Sequence, residues 1–419
     1  MATAAFSTMP LMGIQSTTHK YNTLLIGSGW WGKKILYTAI STATVGKVSL
    51  CDVDTSMLKG AADEVEKLTG NRPSVYSDYR EALSKEKPEI AIIATPDHWH
   101  ALTAIAAMLQ GAHIFCEKPI CHTINEGKAM LAVARDTGVT VQIDLHRRAN
   151  PALKNCHEFL RSGKVGKIGM VRNFVHYPLS GNNIVADSEI PEGMNWDMWC
   201  GPAPYCAFNR KIHPGGHRQF MDYANGQCGD WGVHWLDQMM VWSEEKYPKK
   251  ISATGSRHVK TDNTDAPDTM VATYEFESFT AVWEHRLYGG NSTEKHYAGT
   301  YFYGSKGVLH LGWEDGWTFY PNGDSGIIHE DAVYNNRDKE NILEMWNDFI
   351  QAIRNKSTNT ICDMQAGHLS TNISLLGVAA MKAGRTLLWD GQKEVFVGDK
   401  KANELLKREY RKPWVYPQS

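Results

Sequence analysis

From Tyr21 onward the chain alternates short apolar runs with longer stretches whose apolar residues recur at helical spacing. Residues 21–26 read as a buried strand, 33–40 as a helix and 45–51 as a second strand. Helical spacing returns at 61–68 and 79–84; an apolar strand at 89–94 then precedes a helix ending at Leu109. Strand, helix and strand follow at 113–116, 125–137 and 140–143. Strands alternating with helices predict a doubly wound α/β sheet of Rossmann type, with polar clusters at strand carboxyl ends where such sheets bind ligands. From Met170 the rhythm changes to short β-like runs at 171–176, 251–255, 269–276, 280–286, 297–304 and 307–311. Their spacing and glycine-containing turns suit an antiparallel sheet, with amphipathic helices at 342–353 and 367–384. The expected division is a tail at 1–19, a dinucleotide-binding domain at 20–146 and an α+β domain at 147–419.

Composition narrows the class. A chain of 419 residues with 42% hydrophobic and 21% charged residues fits two globular domains. A net charge of -2, without long runs of either sign, argues against a nucleic-acid surface. No apolar stretch reaches the roughly 18–20 residues of a membrane span. The first nineteen residues are small, apolar and acid-free, matching either a disordered tail or a signal remnant. The compartment, cytoplasm or periplasm, stays open. Eight cysteines without a CxxC pair read as free, mostly buried thiols.

The first strand runs into Gly27-Ser28-Gly29-Trp30-Trp31-Gly32, followed by a helical pattern and a second strand. That context is what a dinucleotide fingerprint requires. Gly27 permits the tight turn, Gly29 admits a pyrophosphate, and Gly32 lets the helix pack on the sheet. The helix N-terminus offers free N–H groups to the anion. Asp52, 25 positions after Gly27, stands where a carboxylate binds the adenosine ribose and repels a 2′-phosphate. Asp54 is the competing candidate. NAD is therefore expected over NADP.

The glycine turn, Ala94-Thr95-Pro96-Asp97-His98-Trp99-His100 and Glu117-Lys118-Pro119 together resemble the Gfo/Idh/MocA oxidoreductases. The resemblance extends through residues 147–151, the segment Gly229 to Asp237, and the tail from Gly384 to Trp414, which is similar to a bacterial subgroup often carrying export signals. It implies a Rossmann domain followed by a large open, mainly antiparallel sheet, with the active site between them. It also implies a carbohydrate or cyclitol substrate and a homodimer or homotetramer formed through the sheet. Carried over by position, the catalytic set is Lys118, Asp230 and His234. The cofactor set is Gly27, Ser28, Gly29, Trp30, Trp31, Gly32, Asp52, Thr95, Pro96, His98, His100, Glu117 and Lys118.

Oxidising an alcohol needs a base for the hydroxyl proton, and histidine suits that task near neutrality. On one helix Asp230, His234, Asp237 and Gln238 fall within about 100° of one another, a polar stripe among apolar residues. His234 is assigned as base and Lys118 as electrostatic partner, with Asp230 orienting substrate or His234. Arg148, His217 and Arg218, together with His98 and Asp222, are expected in the substrate pocket. Trp196 and Trp199 offer platforms for a sugar's C–H face. His98/His100 and His213/His217 do not complete a metal site, because Pro214-Gly215-Gly216 breaks the second pair's helix and no carboxylate set joins them. No catalytic metal is expected.

Two enzymatic readings use these residues. One is a dehydrogenase that releases reduced cofactor. The other keeps NAD tightly bound, oxidises a sugar hydroxyl transiently, eliminates a neighbouring group and returns the hydride. It needs an additional acid or base, for which Tyr177, Tyr223 and His217 are candidates. A nucleotide-sensing protein on the same fold is the non-enzymatic reading, against which Lys118, Asp230 and His234 speak together.

Overall fold

The computed structural model describes residues 19–177, 181–290, 293–334 and 337–418. The N-terminal stretch read as a tail or signal remnant lies, up to Thr18, outside the described residues. No helix among the described residues is long and apolar enough to cross a membrane.

The first half is a six-stranded parallel sheet of β1 (Tyr21–Ile26), β2 (Val45–Cys51), β3 (Ser74–Tyr76), β4 (Ile90–Ile93), β5 (His113–Cys116) and β6 (Val141–Ile143). Their order is β3-β2-β1-β4-β5-β6, the doubly wound arrangement, with its switch point between β1 and β4. Leu24, Leu25, Ile92 and Ile93 are fully buried because helices cover both faces. Those helices are α1 (Trp30–Ser41), α2 (Thr55–Thr69), α3 (Tyr79–Glu86), α4 (Asp97–Leu109) and α5 (Ile124–Thr137). Their ends follow local chemistry. Asp54 accepts from the amides of Ser56 and Met57 to start α2, and Gly70 ends it in the left-handed region. Thr123 and Glu126 form a capping box at α5.

After α6 (Pro151–Arg161) come β7 (Ile168–His176), α7 (Trp196–Cys200), α8 (Val233–Trp242), β8 (Lys250–Ser256), β9 (Thr269–Glu275), β10 (Thr280–Arg286), β11 (Ala298–Gly304), β12 (Gly307–Gly312), β13 (Trp317–Pro321) and β14 (Ile328–Glu330). The chain ends in α9 (Arg337–Arg354), α10 (Met364–Ala383), β15 (Leu387–Asp390), β16 (Val395–Phe396) and α11 (Lys400–Glu404). A ten-stranded sheet runs β14-β13-β12-β11-β7-β10-β9-β8-β15-β16. Its pairings are antiparallel except β7 with β10, which run parallel in register Thr280↔Met170 to Arg286↔His176. Strand β9 alternates buried and exposed residues, as expected for a sheet covered on one face only.

Helix α10 joins the halves, packing on α5 on one side and on α8 and β8 on the other. Two glycines permit that closeness. A Cβ at Gly367 would lie 2.5 Å from Ile143 Cγ1, and one at Gly377 would lie 2.3 Å from the Tyr274 hydroxyl. A long strap, 181–224, reaches back onto the first half. Asn195 donates to Val53 O (2.9 Å) and Thr55 to Gly193 O (3.1 Å). The strap carries its own apolar core of Trp196, Trp199, Phe208, Ile212 and Tyr223.

Candidate active site

At the switch point β1 turns through Gly27 at φ 98°, a conformation that favours glycine. A Cβ there would lie 2.4 Å from Ala94 O, so the β1 and β4 turns could not pass each other with any larger residue. Gly32 is equally constrained, its Cβ position 2.2 Å from Gly27 O. Gly29 differs: nothing lies within 4 Å of its Cβ position. That open space in front of the α1 N-terminus is what an approaching pyrophosphate needs.

A crevice of about 310 Å³ runs along these turns. Gly27, Gly29, Trp30, Trp31, Gly32, Asp52, Thr95 and Pro96 line its Rossmann side. Met198, Trp199, His213, Pro214, Gly215, His217 and Arg218 of the strap form its roof. Asp52 accepts from the amides of Ser28 (2.6 Å) and Asp54 (3.0 Å), which fixes its carboxylate on the crevice wall. Burial pushes its pKa up, against the pull of those amides. Ser28 itself lies behind the lining. Asp54 caps α2 instead and lies 3.0 Å from His213 Nε2 of the strap. The residues fit a dinucleotide: an open glycine cradle, a helix N-terminus and a carboxylate on the wall at the end of β2.

Beyond Arg218 lies a charged cluster. Lys118 Nζ donates to Asp230 Oδ1 (2.7 Å) and to Asp230 O (2.9 Å), and Arg218 Nε lies 3.3 Å from the same carboxylate. Burial would raise the Asp230 pKa, but Lys118 and Arg218 hold it below the ordinary value. His234 is buried, its Nδ1 fully enclosed and without a hydrogen-bond partner. The rings of His146, Trp231 and Trp313 pack around it at 5.4, 6.4 and 5.5 Å. Burial first, then the charge of Lys118, keeps its pKa well below the ordinary histidine value, so the imidazole is neutral. One helical detail was not anticipated. Residues 228–232 form a π turn that passes into α8, so Asp230 and His234 are not on one regular α-helix. Such wide turns recur where side chains must be re-aimed.

The structure corrects several of the sequence assignments. Arg148 faces away from the crevice: it pairs with the fully buried Asp237 through Nε (3.0 Å), and its NH2 also reaches Ser370. Asp237 therefore belongs to an internal ion pair, not to an open polar stripe. Trp196 is 1% exposed, stacked on Trp199 at 4.4 Å and donating to Cys206 O, so it is strap core rather than a sugar platform. Only Trp199 reaches the crevice wall. His98 bonds Trp199 O (2.9 Å) and Tyr223 O (3.3 Å); His100 bonds Pro119 O and Thr95 O, both 2.7 Å. Both brace the loops that carry the site without lining the cofactor crevice. Glu117 is also enclosed, its pKa pushed well up by burial and by neighbouring Asp144, which accepts from Trp31 Nε1 (2.8 Å).

Sequence reasoning missed two residues here. Asp97, first residue of α4, is 6% exposed; burial raises its pKa to about 7 against the pull of Arg218 and Lys118. His213 had been weighed only as a metal ligand. Among the described residues, the one group of three metal-type ligands that gathers is His296, His310 and Asp315 at the β11–β12 end of the large sheet.

Comparison with known proteins agrees with this architecture. Residues 21–145 match the model "Oxidoreductase family, NAD-binding Rossmann fold", and residues 166–416 match "Oxidoreductase family, C-terminal alpha/beta domain". The chain belongs to the Gfo/Idh/MocA oxidoreductase family, and NAD is its cofactor. Levoglucosan dehydrogenase of Pseudarthrobacter phenanthrenivorans is 36% identical over 22% of this chain and 24% of its own length. D-glucoside 3-dehydrogenase of Escherichia coli is 22% identical over 69% of this chain and 76% of its own. A glycosyl hydrolase family 109 protein of Shewanella baltica is 38% identical, over 19% of this chain and 18% of its own. Apart from the E. coli enzyme, these matches span less than half of the relative. The fold is shared with levoglucosan dehydrogenase solved with NADH and levoglucosan, at TM-score 0.68 and 19% identity over 91% of this chain and all of that one.

Proposed function

We propose that the protein is an NAD-dependent dehydrogenase that oxidises a hydroxyl of a sugar, sugar derivative or cyclitol. Residues 20–146 supply the cofactor domain and 147–419 the substrate domain. The observation that carries this reading is His234: a buried, neutral, unpartnered imidazole beside the ion pair of Lys118 and Asp230. The relatives named for levoglucosan and D-glucoside oxidation support the substrate class.

When bound, NAD supplies hydride acceptance at the carbinol carbon. The chain's residues manage the proton and the charge. His234 takes the hydroxyl proton at Nε2, the ring nitrogen that is not enclosed, while Nδ1 keeps its hydrogen. Lys118 offers positive charge where alkoxide character develops, in a site largely closed to water. Asp230, held by two cations, stays ionised and accepts hydrogen bonds from neighbouring substrate hydroxyls. Arg218, which reaches from the crevice roof to Asp230, bounds the substrate from the strap side. The exposed face of the ten-stranded sheet, which includes Met170 and Val271, is the surface through which subunits would pair.

Asp97 favours a second reading. A carboxyl group retaining its proton near neutrality, in the same cluster as Lys118 and Asp230, is the acid that a redox-neutral elimination of a glycoside requires. The glycosyl hydrolase family 109 relative points the same way. One experiment separates the readings: protein plus added NAD is incubated with free sugars, cyclitols and aryl glycosides while reduced-nicotinamide absorbance and released aglycone are followed. Steady growth of absorbance supports the dehydrogenase. Aglycone release without net reduction supports the second reading. Neither signal across the panel would overturn both.

A further inference from the structure

We propose that Cys200 and Cys206 form a redox-active thiol pair, joined into a disulfide by exchange with a small external disulfide, that stiffens the roof of the cofactor crevice. The two residues bracket the segment Cys200-Gly201-Pro202-Ala203-Pro204-Tyr205-Cys206. The segment doubles back on itself. Ala203 donates to Cys200 O (3.0 Å), and Gly201 adopts φ 51°. Both sulfurs converge on one hydroxyl: Tyr223 Oη lies 3.1 Å from Cys206 Sγ and 3.7 Å from Cys200 Sγ, with Pro204 O at 2.9 Å. No other pair among the eight cysteines shares a hydrogen-bonding partner in this way.

The two thiols differ in the manner such chemistry needs. Cys206 alone of the eight is partly exposed; the other seven, Cys200 among them, are buried. Hydrogen bonding from the Cys200 thiol, and then from Tyr223, draws the Cys206 pKa down to about 7 against burial, while Cys200 is pushed up. Cys206 is thus the accessible thiolate and Cys200 the resolving thiol beside it. The reaction balances with glutathione disulfide as oxidant. Cys206 Sγ attacks one sulfur, forming a mixed disulfide and releasing glutathione thiolate. Cys200, giving up its proton, then attacks Cys206 Sγ and releases the second glutathione. Two protein thiols are oxidised and one glutathione disulfide is reduced.

The position gives the bond a consequence. Cys200 ends α7, whose Met198 and Trp199 wall the crevice, and Tyr223 packs its ring on Trp199 at 4.9 Å. Closing the ring fixes α7 to the segment of the strap that returns past it.

The test uses intact protein, reduced, desalted and incubated with glutathione disulfide, then analysed by mass spectrometry with peptide mapping. The expected product is lighter by two hydrogens, with residues 200 and 206 linked. Cys200→Ala is expected to stop at a stable glutathione adduct on Cys206, and Cys206→Ser to take up no glutathione. Tyr223→Phe is expected to slow alkylation of Cys206 in the folded protein several-fold by removing one thiolate-stabilising hydrogen bond. Retention of two free thiols in wild-type protein overturns the proposal, as does a persistent wild-type adduct that never resolves. Failure of Cys206→Ser to fold leaves the wild-type mass measurement decisive by itself.

Discussion

His213 Nε2 of the strap lies 3.0 Å from Asp54 Oδ2, the carboxylate that also caps α2. This contact ties the strap to α2 beside the crevice, which Asp52, two residues earlier, lines from the opposite side. Parting the strap from α2 breaks this contact, so the contact adds to the barrier for any cofactor release that takes that route. His213→Ala is expected to speed NAD release about tenfold, the effect of losing one hydrogen bond to a charged group. The dissociation rate of NAD, followed by competition with excess unlabelled cofactor, checks this. An unchanged rate would mean that the strap opens elsewhere.

The pH dependence of turnover follows from the neutral state of His234. Its pKa lies well below 6.5, through burial and then Lys118, so the base stays competent as pH falls through the ordinary histidine range. Oxidation should hold its rate below pH 6.5 before an acid limb appears. Lys118→Met removes a positive charge, raises the His234 pKa and moves that limb upward, besides lowering the rate. His234→Ala should cost about 10²–10⁴ in turnover and erase the limb. Stability has the same sign: the unfolded imidazole takes its proton near 6.5 while the folded one resists, so this contribution is lost as pH falls below that value. A limb unmoved by Lys118→Met refutes the electrostatic link between the two residues.

Much of the fold was legible because period carries it. Strands β1, β2 and β5 and the turn at Gly27 stand where apolar runs and glycines place them. What escaped was set by tertiary contact. Strand β3 is a three-residue element, half-buried at best, which pairs with β2 at the sheet edge. The first turn of α2 opens with the polar pair Thr55-Ser56, and its start is given by the Asp54 cap rather than by hydrophobic spacing. In the site, the family resemblance pointed to Lys118, Asp230 and His234, which lie near one another here, but the sequence did not tell which polar side chains were already committed to each other. Arg148 and His98 look like ligand-binding residues in sequence; only coordinates reveal Asp237 and Trp199 O as their partners. Asp97 enters the sequence reading only as part of its motif, because its character comes from burial at the start of α4.

Arg148 gives a direct test of that correction. Its partner Asp237 is fully enclosed, and Ser370 of α10 and the neighbouring Gln238 also donate to the carboxylate. Arg148→Met leaves a buried charge without its counter-ion, which is expected to cost about 3–5 kcal/mol of stability. The double variant Arg148→Met/Asp237→Leu should recover most of that loss. Denaturant unfolding measures both. A rise in substrate KM with unaltered stability would return Arg148 to the substrate pocket.

Asp97 decides between the two catalytic readings. Burial raises its pKa to about 7 against the nearby charges of Arg218 and Lys118, so its carboxyl holds a proton far above the ordinary carboxylate range. Asn keeps the shape and the neutral character but has no proton to give. If the enzyme is a simple dehydrogenase, Asp97→Asn should alter oxidation of a free sugar by no more than a few-fold, since His234 carries the proton of that step. If it eliminates a leaving group, Asp97→Asn should lower aglycone release about 10²–10⁴, the range for loss of a general acid. Wild-type elimination should also fall as pH rises through about 7, where Asp97 ionises. A single-turnover measurement of reduced nicotinamide completes the comparison. In the elimination reading the first hydride transfer survives Asp97→Asn, and reduced cofactor accumulates because the following step is blocked. Equal loss of both signals would instead place Asp97 in substrate positioning, upstream of either chemistry.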